Sequence, residues 1–284
     1  METIVQGLLL GSLYALFAQG QSLIFGVMRL TNTAHGDFVI LGAFATIALV
    51  IFGLPPWIAL LATLPLAAVV GFALQFTVLN RTLGKDPLPS LVVTFGLSIV
   101  IQNLLLEIFS ADPRSIDTGG FDTQSWAVTS DLSVGVLPLL ILALAIGVTF
   151  GLQMLFGRTS LGRAFRAVSD DREIAELMGL NARTVCALAT AIAFALIGLA
   201  GALQAMRTTV SPADGPMLLL FAFEAVIIGG MGSFWGTLAG AMLLGITQQV
   251  GFRLDPGWGI WAGHLVFLAI LVLRPQGLMP KTRS

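Results

Sequence analysis

Charge is what this sequence lacks most. Asp, Glu, Lys and Arg together make up 10% of its 284 residues, against 56% hydrophobic residues. Soluble domains carry about 25% charged residues, so a chain of this composition cannot coat a water-facing surface. Cysteine is nearly absent. The single Cys186 excludes an internal disulfide and a thiolate cluster for zinc, and it reads as a small apolar residue near a helix end. The two histidines, His35 and His264, have no paired metal-ligand spacing. Neither a G-x-S-x-G nucleophile turn nor a G-x-x-x-x-G-K-[ST] phosphate loop occurs. No catalytic site, metal or cofactor is therefore expected, and this chain is not expected to bind ATP itself. A net charge of −1 says little about partners, and no nucleic-acid partner is expected. The first residues, Met1 to Gln6, lack a basic region, and no small-residue cleavage site follows. The first apolar run is accordingly expected to persist as a helix and not as a removed signal peptide.

Apolar sequence in long runs is what the chain has in abundance. A helix needs about 20 apolar residues to cross a bilayer core. Only helices and closed barrels can span lipid, because every backbone polar group must be satisfied internally. A barrel would show short alternating strands, whereas these runs are continuous. The expectation is an all-α polytopic membrane protein, one transmembrane domain over 1–284 embedded in the lipid bilayer. It has about nine hydrophobic segments, near 5–28, 36–53, 57–79, 88–110, 135–156, 184–206, 217–231, 236–252 and 258–274. The seventh and eighth are short for full spans. Their join, Gly229-Gly230-Met231-Gly232-Ser233, reads as a break inside the membrane, tolerated where protein or a cavity surrounds it.

Basic residues set the orientation. With the loop 157–183 inside, all of the 14 Lys and Arg residues except Arg114, Arg207 and Arg253 fall on the cytoplasmic side. The longest outer loop, 111–134, carries Asp112, Asp117, Asp122 and Asp131 against one arginine. This puts the N-terminus outside and the C-terminus in the cytoplasm of a multi-pass inner-membrane protein. Trp57, Trp258 and Trp261 then sit at outer helix ends, where indoles prefer to lie.

Within the spans, Gly232, Gly236 and Gly240 recur every fourth position and make a smooth face for close helix packing. Thr94, Ser98 and Gln102 stand at i, i+4 and i+8 on one helix face, and Ser12, Gln19 and Ser22 share a face of the first segment. Such stripes either bond neighbouring helices or line a path for a small zwitterion. The ionisable residues in or near the spans are His35, Asp37, Glu107, Glu224 and His264, functional candidates by default. Glu107 is near enough to the outer end to reach water, and His264 reads as a satisfied interior histidine. Asp37, near the inner start of the second segment, is placed to cap or orient that helix, the alternative being direct contact with substrate. Glu224 lies inside the short seventh segment and is the hardest to dismiss.

The loop from Gly157 to Arg183 is the most informative segment. Asp170 and Glu173 have the spacing of a capping box, with Asp170 as the cap. Ile174, Leu177 and Met178 share one helical face, and Gly179 is placed to end the helix. A short amphipathic helix over about 171–178 is expected, with nothing in its own loop to bury its apolar stripe. It either lies on the bilayer or docks a cytoplasmic partner.

Taken in order, these motifs resemble the permease subunits of branched-chain amino acid ABC importers, over nearly the whole chain. Gly11-Ser12-Leu13-Tyr14-Ala15-Leu16 with Gly20 and Phe25-Gly26 resembles that family's first helix. Asn32-Thr33-Ala34-His35-Gly36-Asp37-Phe38 matches its Asn-x-Ala-His-Gly-acid signature. Phe95-Gly96-Leu97-Ser98 with Gln102-Asn103 is similar to its fourth segment. The stretch from Arg163-Ala-Phe-Arg166 through Met178-Gly179-Leu180-Asn181 resembles its ATPase-coupling loop. Gly229 to Ser233 and Arg274-Pro275-Gln276-Gly277-Leu278 also fit.

The resemblance implies a second, usually different, permease subunit, two cytoplasmic ATP-binding subunits and an extracytoplasmic substrate-binding protein. ATPase coupling would fall to Arg163, Arg166, Asp170, Glu173, Ile174, Leu177, Met178 and Gly179. The path would fall to Ser12, Gln19, Thr94, Ser98, Gln102 and Glu224. The expected function is uptake of small polar solutes, branched-chain amino acids first among them, with urea and amides as family alternatives. An ion-coupled secondary transporter or channel is the rival, and it leaves the 171–178 helix unexplained. A membrane-embedded enzyme is the other rival, and it lacks a nucleophile–base or metal constellation.

Overall fold

A computed structural model of the chain describes residues 2–83, 88–129 and 132–279. The chain's basic residues Lys85, Lys281 and Arg283, and Asp131 of the acidic loop, lie outside the described residues. The described helices are α1 (Glu2–Met28), α2 (His35–Ile51), α3 (Pro56–Thr77), α4 (Leu88–Phe109), α5 (Val136–Arg158), α6 (Ser160–Asp170), α7 (Arg172–Leu177), α8 (Ala182–Arg207), α9 (Gly215–Gly229), α10 (Phe234–Leu254) and α11 (Trp258–Leu273). Nine coincide with the nine expected segments, and α6 and α7 occupy the loop between the fifth and sixth. The fold is that of an all-α polytopic membrane protein. Six stretches are long and apolar enough to cross a membrane: α1, α3, α4, α5, α8, and α9 with the 3-10 turn Pro212–Asp214 before it. Helices α2 and α11 are shorter apolar helices.

Two expectations need correction. The eighth segment is not short: α10 has 21 residues and runs about 31 Å at 1.5 Å per residue. It begins two residues early because Ser233 caps it, the hydroxyl accepting from the Gly236 amide at 3.2 Å. The acidic loop after α4 contains a short hairpin. Strands β1 (Ser125–Thr129) and β2 (Leu132–Gly135) form an antiparallel hairpin with Ser125 opposite Gly135. The seventh segment is short only as a helix: α9 has 15 residues, but with the 3-10 turn before it the stretch Pro212–Gly229 has 18 and is long enough to cross a membrane.

Helix α1 forms the centre, buried along most of its length from Leu9 to Val27 and in contact with α5, α8, α9 and α10. Its closest seam is with α10. A side chain at Gly7 or Gly11 would collide with the backbone at Ile246 or Ala241–Met242, and one at Gly245 with Gly7 and Gly11. Lipid provides no hydrophobic drive between helices, so close backbone approach and interhelical hydrogen bonds hold such a bundle together. Gly236 and Gly240 of the expected smooth face do pack closely, against Gly229 and Ala225 of α9. Gly232 does not belong to that helix face. It lies in the turn before α10 with φ +79° and abuts Gly26.

Helices α3, α4, α5 and α11 are peripheral and present exposed apolar faces, among them Leu61, Val92, Phe150 and Leu268. Such faces suit lipid or another membrane helix. The start of α11 exposes Trp258 and Trp261 at the end of the bundle where Arg253 reaches Thr3 of α1.

Candidate functional site

Two regions gather the residues singled out by sequence. The first is a polar seam between α2 and α4, built on the Asn32–Asp37 motif. Asn32 is fully buried, and its Oδ1 accepts from the Ala34 amide at 3.0 Å, which shapes the turn into α2. Thr33 meets Thr94 of α4 by hydroxyl–hydroxyl contact at 2.8 Å. His35 donates from Nε2 to the Phe17 carbonyl at 2.8 Å, a residue in the middle of α1 and not at its end. Gly36 lies against the backbone of Gly215 and Leu219 in α9, with no space for a side chain. Asp37 accepts at Oδ1 from the Gln102 amide at 2.8 Å.

The expected cap role of Asp37 is not what this geometry gives. The residue at the N-cap is Ala34, with no side-chain cap, and Asp37 turns sideways toward α4 and Gly215. It orients α2 against its neighbours instead. The Gln102 amide also donates to the Ser98 hydroxyl at 3.3 Å, so Ser98, Gln102 and Asp37 form one cluster. Thr94, the third member of the stripe, back-bonds to the Ser90 carbonyl at 2.9 Å and faces Thr33. The whole stripe is thus turned inward and engaged by α2.

The stripe on α1 is engaged too. Gln19 donates to the Thr149 hydroxyl on α5 at 2.8 Å and to the Phe234 carbonyl on α10 at 3.0 Å. Ser22 accepts from Thr237 at 3.0 Å, and Ser12 bonds within its own helix to the Leu9 carbonyl at 2.7 Å. Glu224 on α9 shares a hydrogen bond with His264 Nδ1 on α11. These are two of the ionisable residues considered separately in the sequence, paired here across 40 positions. Beside them Tyr14 donates to Gln248 Oε1 at 2.7 Å. Glu107 is exposed at the far end of α4. Among the described residues no group of three His, Cys, Asp or Glu is arranged to hold a metal ion.

The second region is the loop after α5. Here the helix expected over about 171–178 is α7, and a further helix, α6, precedes it. Thr159 caps α6, its hydroxyl accepting from the Gly162 amide at 3.0 Å, and Leu161, Phe165 and Val168 turn toward the bundle. The cap of α7 is Asp171, accepting from the Ile174 amide at 3.0 Å, and not Asp170, which ends α6. An aspartate pair leaves the cap ambiguous by one residue, and Asp171 has the extended backbone that a cap requires. Gly179, at φ +88°, terminates α7 as expected. Ile174, Leu177 and Met178 are 59%, 86% and 79% exposed, so none of the described residues covers the apolar stripe. Arg163, Asp170 and Glu173 are exposed around it and Arg166 is half-buried. Beside α7 a cleft of about 730 Å³ opens between Met28, Arg29, Val168, Asp171, Glu173 and Cys186.

Sequence reasoning missed α6, although Leu161, Phe165 and Val168 repeat at helical spacing after a good cap residue. It also missed that Gly277 of the closing motif meets Gly230 of the break. There the Leu278 and Met279 amides donate to the carbonyls of Ile228 and Gly229 at 2.8 and 3.0 Å.

Known proteins resemble the chain over nearly its whole length. The family described as "Branched-chain amino acid transport system / permease component" matches residues 3–274. The high-affinity branched-chain amino acid transport system permease protein BraD of Pseudomonas aeruginosa is 28% identical over 98% of this chain and 95% of its own length. LivH of Escherichia coli, a permease protein of the same description, is 24% identical over 98% of this chain and 95% of its own. LivM of Escherichia coli, likewise so described, is 31% identical over 95% of this chain and 68% of its own.

Proposed function

From the premise that this chain belongs to the family of branched-chain amino acid transport permease components, we propose that it is the membrane-spanning permease subunit of an ATP-driven importer. Its cargo is small polar solutes, branched-chain amino acids first among them, as the relatives' names suggest. The whole chain acts as one permease domain and is not itself an enzyme. It works with a second, different permease subunit, two cytoplasmic ATP-binding subunits and an extracytoplasmic substrate-binding protein. It lies in the inner membrane with the N-terminus outside and the α6–α7 end in the cytoplasm.

The observation that carries this reading is the bare apolar stripe on α7. An amphipathic helix with an uncovered apolar face fits into a hydrophobic groove of a partner. The six residues of α7 are few for a membrane-surface helix, and Asp171, Glu173 and Glu176 at and within it give it a mixed charge and not the Lys- and Arg-rich polar face of an interfacial helix. A soluble protein partner accounts for both features, and an ion-coupled carrier needs neither. Ser98, Gln102, Thr94, Ser12, Gln19 and Glu224 retain the role of path candidates in states where the seams open. Co-purification tests the assembly. The tagged chain, extracted in mild detergent with its operon neighbours co-expressed, should carry an ATP-hydrolysing subunit with it. Isolation of the chain without one, under conditions that preserve its helical fold, would contradict the reading.

A further inference from the structure

Two lines of contact run from α6 to the turn between α9 and α10. The first is polar. Ser169, near the end of α6, donates from Oγ to the Gly26 carbonyl at 2.9 Å. Gly26 lies directly on Gly232, so that a side-chain carbon at Gly26 would stand 3.3 Å from the Gly232 Cα. Gly230 and Gly232 have φ of +104° and +79°, conformations that glycine adopts freely and other residues do not.

The second line is aromatic. Phe165 of α6 is wholly buried, with its ring centroid 5.4 Å from that of Phe156 at the end of α5. Phe156 in turn lies 5.0 Å from Phe234, the first residue of α10. The two lines leave the same helix and arrive at the same short turn, one at Gly232 within it and the other at Phe234 just after it.

Helix α9 ends at Gly229, with Gly230 as its C-cap. The carbonyls it would leave open at its end are taken by the amides of Leu278 and Met279, so a pivot there need not expose backbone polar groups to lipid. Packed side chains and hydrogen bonds carry coupling between distant sites when they end on an element with two arrangements.

We propose that Ser169, Phe165 and Phe156 are positioning residues that pass a displacement of α6 and α7 to the α9–α10 turn, converting movement of the docked ATPase into movement of α9 and α10. This rests on the reading of α7 as the ATPase-docking helix. None of the three residues belongs to the exposed stripe of α7, so their loss leaves docking in place and interrupts the transmission from α6 to the turn.

The test uses the complete importer, with binding protein and both permease subunits, reconstituted in proteoliposomes. ATP hydrolysis and solute uptake are measured on the same vesicles. For Ser169→Ala, subunit yield and hydrolysis persist while uptake falls by up to about tenfold, the scale of one lost hydrogen bond, so more ATP is spent per solute. Ser169→Thr keeps the hydroxyl and restores the ratio. Phe156→Leu, which keeps most of the volume, raises the ratio in the same direction. An unchanged ratio in both Ser169→Ala and Phe156→Leu overturns the proposal, as does a parallel fall of hydrolysis and uptake. Wild-type vesicles that accumulate solute without ATP overturn the docking reading itself, and with it this inference.

Discussion

Gln102 on α4 donates to the carboxylate of Asp37 on α2 across 2.8 Å, and this bond joins two motifs that stand 65 residues apart. Helix α4 is otherwise peripheral, its outer face exposed from Val92 through Ile99 to Leu106. Its attachment combines two part-buried polar pairs, Thr33–Thr94 and Asp37–Gln102, with an apolar face on which Phe109 meets Phe44 of α2 at 4.9 Å between ring centroids and Ile101 and Leu105 are buried. Displacing α4 would therefore exchange hydrogen bonds and also repack that apolar face.

Asp37→Leu should therefore loosen α4. Removing the acceptor leaves the half-buried Gln102 amide with only its 3.3 Å bond to Ser98, at a cost of about 0.5–1.5 kcal/mol for one lost hydrogen bond. Asp37→Asn keeps an acceptor and should lose less than half as much. Thermal denaturation of the purified complex in detergent would rank the three proteins wild type, Asn, Leu. Equal melting of Asp37→Leu and wild type would show that the seam contributes nothing.

Ser98 gives a steric counterpart. The residue is 8% exposed and lies beside Gln102. Ser98→Ala loses one weak hydrogen bond and should keep most uptake, since such a bond contributes about 0.5–1.5 kcal/mol. Ser98→Phe inserts a ring into the closed α2–α4 seam and should abolish uptake. Full uptake by the phenylalanine variant would mean that neither the seam nor a path beside it needs that space.

Glu224 and His264 form the bond between α9 and α11. Leaving one partner of a part-buried hydrogen bond unpaired costs about 1–3 kcal/mol, while replacing both partners with apolar residues is often nearly neutral. Glu224→Leu and His264→Leu should each lower the melting temperature, and the double variant should recover part of the loss. Additive losses in that double-mutant cycle would show that the two side chains do not act together. Glu224→Gln, which retains a hydrogen-bond acceptor, should keep much of the uptake.

The exposed stripe of α7 yields the sharpest phenotype. Leu177→Asp or Met178→Asp should insert normally, since both residues lie outside the spans. In a hydrophobic groove, an unpaired charge costs several kcal/mol, of order 3–5, enough to lose the ATPase during purification. Pull-down yield is the measurement, and an undiminished yield would rule out this face as the docking site.

The sequence shows the spans because bilayer crossing demands long continuous apolar runs, and each of the nine segments is a helix in the structure. The Asn32–Asp37 motif is equally visible there, but the contacts of its residues are not. Asn32 bonds locally, whereas His35, Gly36 and Asp37 reach Phe17, Gly215 and Gln102 on three other helices. No spacing rule connects such positions. The pairing of Glu224 with His264 is hidden for the same reason, although one acid and one base in a nearly uncharged membrane region invite it. Helix α6 is obscured by its arginines: Arg163 and Arg166 draw the loop toward a charged reading and away from the repeat of Leu161, Phe165 and Val168. The α7 stripe is legible because it depends on a single helix and on nothing else in the chain.

Whether a partner's ATP hydrolysis drives uptake through this chain is decided by following a labelled branched-chain amino acid into proteoliposomes containing all subunits, with and without ATP and with and without a protonophore. Accumulation should require ATP and be indifferent to the protonophore. Accumulation that collapses with the proton gradient while ATP is plentiful would instead make the chain an ion-coupled carrier.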